Sequence, residues 1–208
     1  CGTALRRIIT AAIVRTIAPT VSSTIHPYQY AVGRAGGAEE LHKLTQILLD
    51  VNPDHALLSI DVQAAFSELD RCAVQKLHPE LGPLIRPWIL ADATFRCHVS
   101  HGEVITLCTT RGVPMGCPLA ALAFALTLHT ALATADSEIQ KQTRGTHAAL
   151  TAYMDDINLI THYSNLMIGG RALNAALNKL GLRLNDDKTE CWVNPERRSE
   201  EHTSELQS

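Results

Sequence analysis

The sequence lacks several patterns that mark common classes of protein. Its six cysteines include no C-x-x-C pair, which disfavours a zinc site, and their scatter indicates free thiols in a reducing compartment. The formal net charge is −3, so the chain as a whole has no basic surplus of the kind that favours nucleic-acid binding. The longest apolar run, Pro118–Ala135, falls short of the ~20 apolar residues of a membrane span, and we expect a buried helix there and no membrane partner.

The composition itself is that of an ordinary globular protein. Of the 208 residues, 46% are apolar and 19% are charged, which argues against disorder and allows one sizeable core. The chain begins at Cys1 without a secretory signal, and the string RSEEHTSELQS at Arg198–Ser208 resembles the translation of a sequencing-adapter DNA. We therefore expect a fragment at both ends, with a non-native tail over residues 196–208.

The order of predicted elements indicates an α+β fold, with a small antiparallel sheet and helices packed on one face. Apolar periodicity predicts helices, and short apolar runs next to turn residues predict strands and hairpins. The predicted helices are Leu5–Ala18 (ended by Pro19), Ala38–Asp50, Ser67–Leu77, Gly82–Ala93, Pro118–Ala135 and Ser164–Leu180. The predicted strands are His55–Asp61, the hairpin Thr94–Ser100 with Glu103–Thr109, the hairpin around Asp155-Asp156, and Lys188–Val193, while Gln140–His147 is predicted to be a loop.

Two adjacent acids tip the predicted hairpin in AALTAYMDDINLIT (Ala148–Thr161). A third acid, Asp61, ends a predicted strand 94 residues earlier, so neighbouring strands would bring three carboxylates together. Carboxylates that repel each other are stabilised by a divalent cation, and Mg²⁺ prefers such oxygens. Because successive strand residues point to opposite faces, we assign Asp155 with Asp61 as direct ligands and Asp156 as a less certain one. The alternative is a solvated Asp-Asp turn without a metal.

Four blocks in order resemble the palm of a reverse transcriptase of the non-LTR retrotransposon type. They are LLSIDVQAAFSELDR (Leu57–Arg71, motif A), RGVPMGCPLAALAF (Arg111–Phe124, motif B), AYMDD (Ala152–Asp156, motif C) and LGLRLNDDKTE (Leu180–Glu190, motif D). The stretch QYAVGRAGGAE (Gln29–Glu39) also resembles the loop that precedes the palm in such elements. The resemblance implies part of the fingers over residues 1–54 and the palm over 55–195, and it implies an intracellular location, in the nucleus.

The resemblance also implies RNA-templated DNA synthesis, with an RNA template, a DNA primer and dNTPs as partners and two Mg²⁺ ions, or Mn²⁺, as cofactors. Its catalytic residues would be Asp61, Asp155, Asp156 and Lys188, with the three acids as metal ligands and Lys188 as the acid that protonates pyrophosphate. Its nucleotide-binding residues would be Phe66, Gly112, Met115, Gly116, Pro118 and Tyr153. The sequence does not indicate an oligomeric state.

Each single residue also has a plainer interpretation. Phe66 would crowd a ribose 2′ hydroxyl in the family, but it also suits a core position, and Lys188 also suits a solvated surface. Arg6 and Arg7 suit a helix face better than a contact with template or triphosphate. The sequence departs from the family at three positions without losing a metal ligand: Met115 replaces Gln, Ala64 replaces Asn and Ala121 replaces Pro.

Three other functions remain open at this point. A viral RNA-dependent RNA polymerase usually has Gly before the paired acids, where this chain has Met154. A palm that serves only as an RNA-binding scaffold typically loses metal-binding acids, and all three are present here. A decaying retroelement copy would keep the sequence pattern without activity.

Overall fold

A computed structural model describes residues 4–77, 82–85, 93–99, 102, 104–144 and 146–193. The helices are α1 (Ala4–Ile25), α2 (Gly37–Val51), α3 (Ala65–Glu68), α4 (Arg71–Leu77), α5 (Gly82–Ile85), α6 (Pro118–Thr143) and α7 (Leu166–Asn178). The strands are β1 (His55–Ile60), β2 (Ala93–His98), β3 (Val104–Thr109), β4 (His147–Tyr153), β5 (Asp156–His162) and β6 (Glu190–Trp192). This mixture of helices and antiparallel strands confirms the predicted fold class.

The main sheet has four strands in the order β4-β5-β1-β6, and every neighbouring pair is antiparallel. Strand β1 is central because its apolar run HALLSI can be covered on both sides. Its register with β5 pairs His55 with His162 and Ile60 with Ile157. The other two strands, β2 and β3, form a separate hairpin with Val104, Ile105 and Leu107 exposed, which confirms the predicted hairpin.

Helices α6 and α7 cover the sheet face that carries Leu58, Ile60, Ile157 and Leu159. Helix α7 reaches this face through Gly169, where an added Cβ would collide with Leu159. Helix α6 is apolar on most of its circumference because it lies between the sheet, α1, α4 and α7. The buried side chains of its first three turns include Leu119, Leu122, Phe124 and Leu126, as the sequence predicted.

Helix α1 does not end at Pro19, so that prediction was wrong. Proline lacks the N–H that an interior helical position uses, and this usually breaks or kinks a helix. Here α1 runs to Ile25 because its later turns pack on the core through Val14, Ile17 and Val21. Tertiary packing therefore outweighs the local signal.

Three other predicted boundaries were wrong. Helix α6 continues through Gln140 to Thr143, because Ile139 and Thr143 remain buried on its inner face. The predicted helix Ser67–Leu77 is divided into α3 and α4 at Leu69, which has the extended φ and ψ of −52° and 127°. The predicted helix Gly82–Ala93 cannot reach its end, since Ala93 begins β2, and residues 86–92 lie outside the described residues.

In the part of the chain that the structure describes, two helices have the length and composition of a membrane-crossing helix: Arg7–Ile25 within α1, and α6. The apolar window of α6 is 67% buried inside the protein, as expected for a core helix, whereas the window in α1 is 11% buried. The core helices of many proteins pass the same test, so α6 needs no membrane to account for its composition.

Candidate active site

The sheet brings the motif A and motif C acids to one end. Asp61 directly follows β1, and the register Ile60–Ile157 places it opposite Asp156, the first residue of β5. Because neighbouring strand residues point to opposite faces, this position lies on the face away from Ile60 and Ile157. The alternation of strand residues between the two faces predicts Asp155 as the partner of Asp61. The backbone register instead places Asp156 opposite Asp61 and Asp155 in the turn. Which carboxylate binds a metal directly stays a prediction.

Electrostatics indicates that the three acids lie near one another at this end of the sheet. Partial burial raises the pKa of Asp156, and the neighbouring carboxylates of Asp155 and Asp61 raise that pKa further. Carboxylates influence one another in this way only when they are close and partly shielded from water. The three acids therefore lie at one end of the sheet, while their role as a metal-binding cluster and the separation of Asp61 and Asp155 stay predictions.

The turn that carries Asp155 is a strained two-residue connection. Strands β4 and β5 are joined at the pair Tyr153–Asp156, with Met154 and Asp155 between them. Met154 has a φ of 56°, a left-handed conformation that costs a non-glycine residue about 1–2 kcal/mol. Such strain persists only where surrounding contacts enforce it, and it is common at functional sites.

Motif D is bonded directly to motif A through Asn185. The side-chain Nδ2 of Asn185 donates to Asp61 Oδ2 at 2.8 Å, and its backbone N–H donates to Asp61 O at 2.9 Å. A bridge between Val62 and Leu184 extends this contact. Asn185 therefore fixes the Asp61 carboxylate, a role that the sequence analysis missed; its place in the motif D block was the available signal.

The acidic cluster has the donor chemistry of an open divalent-cation site. Among the described residues, no group of three or more His, Cys, Asp or Glu side chains is arranged so that it could hold a metal ion. Mg²⁺ commonly uses only one or two carboxylates and completes its octahedron with water and substrate phosphates. A cation would also relieve the repulsion that raises the pKa of Asp156. The three carboxylates therefore have the donor chemistry for such an ion, and its binding stays a prediction.

The motif B loop is packed against the segment that follows Asp61. Gly112 has a φ of 73°, and a Cβ there would lie 2.6 Å from Phe66 O and closer still to Ser67 O. Its N–H donates to Leu69 O at 2.9 Å, and the N–H of Val113 donates to Phe66 O at 2.7 Å. Only glycine allows this approach, so the loop is bound to motif A by its backbone.

A buried arginine, Arg71, is hydrogen-bonded to the backbone of the same loop. It is 8% exposed, and it donates to Gly112 O at 2.7 Å, Thr109 O at 2.9 Å, Arg111 O at 2.9 Å and Thr109 Oγ1 at 3.2 Å. The planar guanidinium of Arg71 thus donates to three backbone carbonyl groups of this loop at once. The sequence analysis included Arg71 in motif A without giving it a role.

The other motif B residues lie at the open side of the loop. Gly116 has a φ of 76° with nothing within 4 Å of a Cβ position, and Met115 is 63% exposed. Pro118 begins α6, a favourable place for proline because the first helical N–H has no partner in the helix. Met115 and Gly116 are open to a ligand, and the nucleotide-binding role of these residues stays a prediction.

Phe66 has one face on the core and is only partly buried. Its ring stacks on Phe124, with centroids 4.6 Å apart and planes 14° from parallel. Phe124 is fully buried in α6, so it fixes the orientation of the Phe66 ring. The core interpretation is therefore correct for one face, and discrimination of the sugar stays a prediction for the other.

The remaining predicted residues are exposed. Tyr153 is 38% exposed beside the acids, and Lys188 is exposed in the turn after Asn185. Within the described part of the chain, no ion pair joins Lys188 to Asp186 or Asp187. Arg7 is exposed on α1, in agreement with a plain helix face, and the side chain of Arg6 lies outside the described residues.

The fold is similar to that of three telomerase structures. An apo telomerase from Candida tropicalis, truncated from its C-terminal domain, matches with a TM-score of 0.59 at 14% identity over 88% of this chain and 40% of that one. A Candida albicans telomerase in complex with a TWJ fragment of telomeric RNA matches with a TM-score of 0.57 at 14% identity, over 91% and 35%. A Candida tropicalis telomerase in complex with a TWJ fragment of telomeric RNA matches with a TM-score of 0.62 at 13% identity, over 88% of this chain and 33% of that one.

The family model of reverse transcriptase (RNA-dependent DNA polymerase) matches residues 1–204, and the chain therefore belongs to that family. The match runs into the segment that was expected to be non-native. No curated protein sequence matches the chain. The chain spans 33% to 40% of the length of the telomerase structures described above, and their low identity shows a common fold alone.

Proposed function

We propose that this chain is the palm, with part of the fingers, of an RNA-directed DNA polymerase from a non-LTR retrotransposon, present as a truncated piece. The observation that carries the proposal is the meeting of Asp61 with Asp155 and Asp156 at one sheet end in a chain of the reverse transcriptase family. The proposed reaction joins a dNTP to the 3′ hydroxyl of a DNA primer on an RNA template and releases pyrophosphate. The proposed location is the nucleus, by family resemblance.

In this proposal Asp61 and Asp155 hold two Mg²⁺ ions, or Mn²⁺, with Asp156 in support. Bound ions of this kind activate the attacking hydroxyl and neutralise charge on the departing pyrophosphate. The protein contributes by keeping the carboxylates in place before substrate arrives. Asn185 fixes Asp61 by two hydrogen bonds, and the β4–β5 hairpin fixes the other two acids.

The nucleotide is proposed to lie between the acids and the motif B loop. Phe66 would exclude a 2′ hydroxyl with the ring that Phe124 holds rigid, because an aromatic ring cannot fold away from a clash. The backbone at Gly112 and Gly116 would approach the base and template, with Met115, Tyr153 and Pro118 lining the same region. Lys188 would donate a proton to the pyrophosphate as it leaves.

Extension assays with different templates and nucleotides test this proposal. The complete reading frame that contains this chain is incubated with a primer on an RNA or a DNA template, with dNTPs or rNTPs, and with or without Mg²⁺. We expect Mg²⁺-dependent extension with dNTPs on RNA. Extension with rNTPs on RNA would instead indicate a viral-type RNA polymerase. Binding of RNA without extension under any condition would favour the scaffold or the decayed copy.

A further inference from the structure

The catalytic hairpin is held from outside by a residue of the segment between α1 and α2. The backbone of Tyr28–Tyr30 runs beside the end of β4: Ala152 N–H donates to Tyr28 O at 2.6 Å, and Tyr30 N–H donates to Ala152 O at 2.9 Å. This gives a parallel bridge between Gln29 and Ala152, at the outer edge of the sheet. The Gln29 side chain therefore lies directly beside the turn that contains Asp155.

Both polar atoms of the Gln29 amide bind the backbone of Met154. The Met154 N–H donates to Gln29 Oε1 at 2.8 Å, and Gln29 Nε2 donates to Met154 O at 3.2 Å. The Ala31 N–H donates to the same Oε1 at 3.2 Å. Gln29 itself is only 2% exposed. A primary amide offers a donor and an acceptor side by side from one planar group, which matches the two backbone groups of Met154.

Met154 is the residue that needs such support. It has the left-handed φ of 56°, and it immediately precedes Asp155. A two-residue turn leaves its central peptide groups outside the strand ladder, and here Gln29 binds both backbone groups of Met154. The direction in which the Asp155 carboxylate leaves the hairpin thus depends on a side chain from a different part of the chain.

We propose that Gln29 is a positioning residue that fixes the Met154-Asp155 turn and thereby the carboxylate that holds the metal. This inference rests on the proposed polymerase function. Gln29 touches neither substrate nor metal in this account, since it acts through the backbone of Met154. A merely structural glutamine would stabilise the fold without any particular effect on the acidic cluster.

The matched variants separate the two roles. Gln29→Leu removes all three hydrogen bonds of the amide with little change in volume, and Gln29→Glu keeps an acceptor but loses the donor to Met154 O. Tyr28→Phe is the control: it also deletes one partly buried hydrogen bond, the 2.7 Å bond to Asp136 Oδ2, but that bond leads to α6. Thermal denaturation of all three shows how much each substitution disturbs the fold as a whole.

Amide hydrogen exchange tests the contact without any need for activity. In the wild type we expect the Met154 N–H to be protected, because it is bonded to Gln29. In Gln29→Leu this protection should fall by about tenfold or more while the amides of Leu159 and Ile160 in β5 keep theirs. Tyr28→Phe should leave Met154 protected. Unchanged protection of Met154 in Gln29→Leu would overturn the proposal.

Mn²⁺ affinity and primer extension then test the consequence. We expect Gln29→Leu to bind Mn²⁺ about tenfold more weakly, which is the lower end of the effect seen when a hydrogen-bond partner of a metal ligand is removed. We also expect this variant to need more Mg²⁺ for half-maximal primer extension. Equal losses in Gln29→Leu and Tyr28→Phe would show a general packing role and contradict the proposal. If wild type binds no Mn²⁺ and extends no primer, the polymerase function fails, and the exchange result alone decides whether Gln29 fixes the turn.

Discussion

Arg71→Met is expected to be strongly destabilising, because it removes the side chain that ties the motif B loop to motif A. The substitution keeps a long, flexible chain but deletes four hydrogen bonds, to Gly112 O, Thr109 O, Thr109 Oγ1 and Arg111 O. Net contributions of about 1.5–3 kcal/mol for a bond to a charged group are not additive within one cluster. We therefore expect a total loss of about 3–5 kcal/mol, because several carbonyl groups would be left without this donor at a cost of about 1–3 kcal/mol each.

Urea denaturation measures this loss, and the same loop provides a matched control. Arg111→Met makes the same substitution at a side chain that is 66% exposed and lies 3.4 Å from Glu68. An exposed ion pair contributes about 0–1 kcal/mol, so this control should unfold close to the wild type. Arg71→Lys should fall between the two, since one ammonium cannot match the planar fork. If Arg71→Met and Arg111→Met differ by less than about 0.5 kcal/mol, the argument for Arg71 is wrong.

Three shorter predictions concern the sugar, the loop glycine and pH. Phe66→Val should lower selection of dNTP over rNTP by about tenfold in competitive extension, whereas Phe66→Tyr should keep it, because only the former opens the volume of a 2′ hydroxyl. Gly112→Ala should lower the free energy of unfolding, measured by urea denaturation, by more than the cost of about 1 kcal/mol for a non-glycine residue with positive φ. The excess is expected because the added Cβ would also collide with Phe66 O. Burial lowers the pKa of His55, and the nearby charge of His162 lowers that pKa further. Between the lowered pKa and the ordinary one, the unfolded state therefore binds a proton at His55 that the folded state does not. Stability should therefore fall as pH decreases from about 6.5 to the lowered pKa, and His55→Phe should flatten that part of a melting-temperature profile.

The sequence predicted the sheet better than the helix ends, for a physical reason. Strand β1 and the hairpin of β4 and β5 follow from short apolar runs beside turn residues, and the structure has both. Pro19 and the polar segment after Ala135 were read as helix breaks, but each continues in a helix because its neighbours pack on the core. Such packing depends on residues distant in sequence, which a local pattern does not contain.

The candidate site shows the same division. The acids Asp61, Asp155 and Asp156 could be found from their place at strand ends and from the family resemblance. The contacts made by Gln29, Arg71 and Asn185 could not be found in this way, because their partners lie 38 to 125 residues away in sequence. Their side chains are common ones, and only the fold shows what they bind.

Loss of primer extension on neutralising single acids tests the central claim most directly. Asp61→Asn and Asp155→Asn keep the shape of the side chain but remove the charge that would hold the ions, and Asp187→Asn, on an exposed turn, is the control. Losing one ligand of a two-ion site should cost several kcal/mol of charge stabilisation, which is on the order of a thousandfold in rate. RNA binding should persist in all three variants, because it depends mainly on cationic contacts to phosphate. Full extension by Asp61→Asn or Asp155→Asn would contradict the account, and loss of extension in both with an active control would support it.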